Sequence, residues 1–339
     1  MKRAPRPPRR GRVVLLPVRS RALRGNPLGD PSDRELPVYL PPGYDERRRF
    51  PVIFCLAGFT GTGRMLLNDQ AWAPGLATRM DALLARGIAR PAVLAMPDCF
   101  TRLGGSQYLN STALGPYEDH LVEELVPAVD RVFRTLPARE HRGVVGKSSG
   151  GYGALRLAMR RSDLFGAAAC HSGDMGFEYC YLPDFPKAVA GLGRHGGIAG
   201  FLRAFDRAPR KTGELLAVLN VLAMAAAYSP NRKARPLGFD LPFDEKTGEL
   251  RGEVWTRWLE NDPVRMVEGT ADALRSLGLL YLDCGTRDEW NLHLGARMLA
   301  QRLREKRVRH VHEEFDDGHL SIPYRYDVSL PLLTRALAP

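Results

Sequence analysis

Arg142-Gly143-Val144-Val145-Gly146-Lys147-Ser148-Ser149-Gly150-Gly151-Tyr152-Gly153-Ala154 reads as a short buried strand, a glycine-flanked serine and the small-residue start of a helix continuing through Leu155, Leu157 and Ala158. Gly146 to Gly150 fits the pattern G-x-S-x-G, in which the elbow glycines Gly146 and Gly150 let the chain turn sharply enough to hold a serine hydroxyl above a sheet. The strand before it and the helix after it give the pattern its weight, because glycine and serine share many ordinary turns. Ser148 is therefore the candidate nucleophile. A phosphate-binding loop is the rival reading, since Gly146-Lys147-Ser148 ends in GKS. That loop needs its first glycine five positions before the second, and His141 stands there.

The segments around this turn alternate between buried strands and helices. Upstream, Val13 to Val18 and Glu35 to Leu40 read as strands, Phe50 to Leu56 as a strand buried on both faces, Met65 to Arg86 as helical, and Pro91 to Met96 as another strand. Tyr117 to Arg134 has Leu121, Leu125, Val129, Val132 and Phe133 at helical spacing, with acids early and arginines late. Downstream come strands at Phe165 to Cys170, Leu279 to Cys284 and His310 to Phe315, a helix from Asn291 to Glu305, and a terminal helix to Leu337. This rhythm predicts an α/β fold with a doubly wound, mostly parallel sheet. Residues 13–173 and 266–339 form its core, and 174–265 break the rhythm. A segment this long between two strands is expected to be a largely helical insertion with its own small core, either a lid over the sheet's carboxyl edge or a structural or oligomerising appendage.

In open parallel sheets ligands sit at the carboxyl ends of strands, so polar residues just after strands carry the most weight. Ser148, Asp288 within Gly285-Thr286-Arg287-Asp288, and His319 within Asp317-Gly318-His319 all occupy such places, in the order serine, acid, histidine. A serine hydroxyl is a weak nucleophile at neutral pH, so His319 is expected to take its proton and Asp288 to orient the imidazole and stabilise its cation. Asp283 lies too close to its strand and is expected to point inward; His171, His310, His312, His120 and His293 are read as structural. The developing oxyanion needs two amides, expected from Ser149 and from Phe59 in the loop Ala57-Gly58-Phe59-Thr60-Gly61.

The 339 residues are 44% hydrophobic and 26% charged, ample for a large core. Much of the net charge of +11 crowds the start, where Lys2, Arg3, Arg6, Arg9, Arg10 and Arg12 alternate with Pro5, Pro7 and Pro8, so 1–12 reads as a solvated, disordered basic tail. Basic residues are not interleaved with aromatics elsewhere, so no nucleic acid partner is expected. The apolar run Val13 to Leu16 is too short for an export signal, and nothing approaches a membrane span. Cys55, Cys99, Cys170, Cys180 and Cys284 lack metal-type spacing and read as reduced core thiols of a cytoplasmic protein; neither metal nor cofactor is expected, and a homo-oligomer stays open.

Taken together, Val38-Tyr39-Leu40-Pro41-Pro42-Gly43-Tyr44, Glu124-Leu125-Val126-Pro127, Gly146 to Gly151, Gly285 to Asp288 and Gly318-His319 resemble the putative-esterase family of α/β-hydrolases. That family includes esterase D, S-formylglutathione hydrolases, enterochelin-type esterases, feruloyl esterases and mycolyltransferases. The resemblance implies an α/β-hydrolase fold and a serine carboxylesterase acting on a small-molecule ester through an acyl-enzyme on Ser148. A thioesterase of the S-formylglutathione type and an acyltransferase to a sugar or lipid alcohol are the alternatives. Ala57-Gly58 stands where the family usually has His-Gly, and Lys147 fills the variable elbow position, from which its ammonium is expected to reach solvent.

Overall fold

A computed structural model describes residues 10–45 and 47–339. Most of the basic tail therefore lies outside the described residues, and Arg12 already opens the first strand. Eight strands form one sheet: β1 Arg12–Arg19, β2 Asp33–Leu40, β3 Val52–Leu56, β4 Val93–Ala95, β5 Arg142–Lys147, β6 Ala167–His171, β7 Leu279–Gly285 and β8 Val311–Phe315. Their spatial order is β1-β2-β4-β3-β5-β6-β7-β8. The first two pair antiparallel, β2 also runs antiparallel to β4, and from β4 to β8 every pairing is parallel.

Successive side chains of a strand face opposite sides, and the core divides accordingly. Val144, Phe54 and Ala168 face the layer built by the helices Ser149–Arg160, Pro263–Arg275 and Leu292–Glu305, while Val145, Ile53 and Ala169 face the helices Leu76–Ala85 and Tyr326–Ala336. The helix expected over Met65 to Arg86 is only partly present. A short 3-10 turn, Gly63–Leu67, gives way to a loop, and the α-helix begins at Leu76. Pro74 and Gly75 break the pattern, and Asp69 Oδ1 accepts from Gly75 N at 2.8 Å to fix the loop.

Between β6 and β7 the chain forms the helices Phe177–Cys180, Phe185–Arg194, Ile198–Arg207, Gly213–Tyr228 and Gly252–Leu259, before Pro263–Arg275 returns to the sheet and packs on Ser149–Arg160. Contrary to the expectation of a separate small core, its aromatic residues join the cluster that covers one face of the sheet. Tyr152, on the helix after the candidate nucleophile, meets Phe177 and Tyr228 at ring distances of 6.2 and 5.9 Å. Asp262, fully buried, ties the segment's ends together by accepting from the amides of Gly176, Phe177 and Val264 at 2.9 to 3.0 Å.

Candidate active site

The turn after β5 is built by close approach of backbone. A Cβ on Gly146 would lie 2.3 Å from Gly150 O, and one on Gly150 would lie 2.2 Å from Leu56 O, so neither position tolerates a side chain. Between them Ser148 has φ 58° and ψ −131°, a conformation costing a non-glycine residue about 1 to 3 kcal/mol. Its amide donates to His171 O and its carbonyl accepts from Tyr152 N, both at 2.9 Å, which hold it there. The half-buried hydroxyl is thereby raised to the carboxyl edge of the sheet.

His319 arrives on the loop after β8, and its Nε2 lies 2.9 Å from Ser148 Oγ. Its Nδ1 lies 2.8 Å from Asp288 Oδ2. The two supporting loops are zipped together, Thr286 N donating to Phe315 O and Arg287 N to Asp317 O. Gly285 is required at the crossing, since a Cβ there would stand 2.3 Å from Asp317 O. Asp288 Oδ1 accepts from Trp290 N at 2.9 Å and Leu292 N at 3.4 Å. Burial pushes the Asp288 carboxyl up, but the hydrogen bond and charge of His319 and those two amides outweigh it and hold the group below the usual carboxylate range. Hence the imidazole faces a carboxylate on one side and a hydroxyl on the other.

Ser149 opens a helix, so its amide, like others of a first turn, has no partner within the helix and lies at the positive end of the dipole. Gly58 comes so near that a Cβ there would lie 3.3 Å from Ser148 Cβ, and Phe59 follows it in the chain. The Phe59 ring packs over Gly104 and Gly105. The hydrogen bonds bring Ser148, His319 and Asp288 together at one point, with Ser149 next in the chain and Gly58 packed against Ser148.

The competitors lie elsewhere. Asp283 points inward, where His171 Nδ1 meets its Oδ1 and Arg325 Nε donates to its Oδ2, both at 2.8 Å. His171 Nε2 also lies 2.8 Å from Ser329 Oγ, a second serine, histidine and aspartate chain with all three residues buried. Lys147 departs from expectation. Its side chain is half-buried, and burial lowers its pKa against the opposing charges of Asp288, Glu289 and Asp174.

Three neighbours carried no signal that sequence reasoning used. Glu289 Oε2 accepts from His319 N at 2.6 Å, and the Trp290 ring packs edge-on against His319 at 4.8 Å. Buried Asp174 takes the Ser149 hydroxyl at 3.2 Å. All three lie just past a strand end, where the same rule that found Asp288 could have found them.

A family model described as Putative esterase matches residues 31–325. An endo-1,4-beta-xylanase/feruloyl esterase of Xylanibacter ruminicola is 29% identical over 164 residues, covering 45% of this chain and 21% of that protein. An esterase of Mycobacterium tuberculosis is 36% identical over 145 residues, 40% of this chain and 28% of its own length. The chain thus spans about a quarter of the length of these relatives. Among solved structures, a ferulic acid esterase superposes with a TM-score of 0.61 at 20% identity, covering 97% of this chain and 99% of that one. An S-formylglutathione hydrolase from Agrobacterium tumefaciens superposes at 0.62 and 16% identity, covering 97% and 96%. At such identities the likeness is one of fold, that of the α/β-hydrolases.

Proposed function

Because the chain belongs to the putative-esterase family, we propose that it is a serine carboxylesterase in which Ser148 is the nucleophile, His319 the general base and Asp288 its orienting acid. The observation that carries the reading is the unbroken chain from Ser148 Oγ to His319 Nε2 at 2.9 Å and from His319 Nδ1 to Asp288 at 2.8 Å. As Oγ attacks the ester carbonyl, Nε2 takes its proton, and the imidazolium so formed is stabilised by the Asp288 carboxylate. The amides of Ser149 and Phe59 receive the oxyanion. The imidazolium then protonates the leaving alkoxide, and water, activated by the same Nε2, releases the acid and restores Ser148.

The inserted segment 174–265, anchored on the helix that follows Ser148, is assigned the shaping of the pocket. Five free, buried cysteines suit a reducing, cytoplasmic setting, and no helix among the described residues is long and apolar enough to cross a membrane. The partial burial of Ser148 leaves water access to the acyl-enzyme, which favours hydrolysis over transfer. The test is Ser148→Ala: hydrolysis of a short p-nitrophenyl ester and labelling by a fluorophosphonate should both vanish while the fold is kept. Retained activity would refute the assignment. Formylglutathione and competing alcohols, offered beside simple esters, separate ester hydrolysis from thioester hydrolysis and transfer.

A further inference from the structure

Directly behind the nucleophile lies a buried polar cluster that the chemistry above does not use. Asp174, 7% exposed, receives Gln107 Nε2 at 2.9 Å, Tyr181 OH at 2.9 Å and Ser149 Oγ at 3.2 Å. All three donors fall on one oxygen, Oδ2. The other, Oδ1, accepts a hydrogen bond from none of the described residues. Gln107 is fully buried, and its amide orientation is set because Nε2 donates to the carboxylate and, at 2.9 Å, to Tyr228 OH. Its Oε1 is buried and lacks a partner among the described residues.

Leaving a buried acceptor unpaired costs about 1 to 3 kcal/mol, so Gln107 Oε1 asks for a donor, and the free Oδ1 of Asp174 offers a second acceptor in the same cluster. The backbone strengthens the point. Gln107 and Tyr108 both have φ 53°, a strained conformation for non-glycine residues, held by Tyr108 OH donating to Ala57 O at 2.6 Å. The fold thus bears strain to keep Gln107 in this place.

We propose that Asp174 Oδ1 and Gln107 Oε1 form the polar end of the acyl pocket and receive a hydroxyl carried on the second or third carbon of the acyl group. The inference rests on the acyl-enzyme reading. Ser149 links the two sites, its amide facing the oxyanion and its hydroxyl donating to Asp174, so the bound group lies a few atoms from the reacting carbonyl. A neutral donor fits better than a cation. Burial pushes the Asp174 carboxyl above its ordinary value, only partly opposed by its hydrogen bonds and the charge of His319, so it holds its negative charge weakly.

The test compares kcat/KM for p-nitrophenyl butyrate with its 2-hydroxy and 3-hydroxy derivatives. The wild type should favour one hydroxy ester by about tenfold or more, as expected where a deoxy analogue leaves the buried Gln107 Oε1 unpaired. In Asp174→Asn the side-chain oxygen stays with the three donors, so the amide nitrogen replaces the vacant acceptor and can satisfy Gln107 internally. The ratio should fall to within about twofold of one. A purely structural Asp174 would lower both esters equally and leave the ratio unchanged, which overturns the proposal, as does a wild-type ratio near one. Should Asp174→Asn fail to fold, Gln107→Met must lower the ratio instead. Calorimetric binding of 3-hydroxybutyrate, 2-hydroxybutyrate and butyrate to the wild-type protein separates the two readings. Tighter binding of a hydroxy acid without turnover of any ester would sink the esterase reading and keep this one; equal binding of all three sinks this one.

Discussion

Replacing Asp288 by Asn tests the acid assignment against its neighbour Asp283. In the structure Asp288 Oδ1 is held by the amides of Trp290 and Leu292, while Oδ2 faces His319 Nδ1 at 2.8 Å. An asparagine keeps its oxygen against those two donors and turns its NH2 towards Nδ1. The imidazole must then accept at Nδ1 and carry its proton on Nε2, the tautomer that cannot take the proton of Ser148. Both the general base and the stabilising charge are lost together. A drop of about 10^4 in kcat is expected from the same change in other serine, histidine and aspartate sites, or about 5 kcal/mol of transition-state stabilisation. The assay is ethyl butyrate hydrolysis followed by pH-stat, because an alkoxide leaving group needs the proton from His319. KM should move little, since Asp288 does not touch substrate. Asp283→Asn is the control: it faces His171 and Arg325, so kcat should stay within a few fold while stability falls. The reasoning is refuted if Asp288→Asn keeps kcat within about tenfold of wild type, or if Asp283→Asn suffers the larger loss.

Gly150→Ala would place a methyl 2.2 Å from Leu56 O, a backbone atom of a central strand, and should destabilise by about 3 kcal/mol or more in urea unfolding. Ser148→Gly removes the proposed nucleophile and its backbone strain together, so activity should vanish while stability rises by about 1 kcal/mol once the entropy of glycine is counted; a lower melting temperature would contradict the strain. Trp258 is fully buried, donates to Ser229 Oγ at 2.9 Å and meets Tyr181, Phe185 and Tyr228 at 5.6 Å, so Trp258→Ala should cost about 3 to 5 kcal/mol in the same measurement. Burial pushes the Asp283 carboxyl up, but His171 and Arg325 outweigh it and hold it below its ordinary value. Such a group contributes stability that is fully present above the unfolded pKa of about 4 and lost as pH falls through the lower folded value. The stability gap between wild type and Asp283→Asn should therefore shrink on acidification below about pH 4; a gap that widens there would reverse the sign.

The sheet was legible because its strands are short apolar runs ended by glycine, proline or a polar group, and because β3, β5 and β6, buried on both faces, leave no alternation to confuse with a helix. Ser148, Asp288 and His319 could be picked out for a related reason: a parallel sheet delivers every strand's carboxyl end to one edge, so sequence position alone reports spatial neighbourhood. The rule fails where the chain leaves the sheet. Asp174 lies just past a strand end, but nothing in Gln107 or Tyr181 announces that they meet it, since neither follows a strand of the sheet. Asp262 is similar, its capping of Val264 readable from the Asp-Pro start of a helix but its grip on Gly176 and Phe177 hidden in the return of a distant segment. Lys147 shows a subtler limit, for the expectation that it reaches solvent treated the elbow as an isolated turn. In the folded chain that position is half-buried, and the carboxylates of Asp288 and Glu289 act on the ammonium. What the strand ends supply is the reacting centre, and what surrounds it depends on contacts between segments far apart in the chain. Substrate choice is therefore expected to follow Asp174, Gln107 and the inserted helices, while the bond-breaking step follows the three strand-end residues, and substitutions in the two sets should change different kinetic parameters.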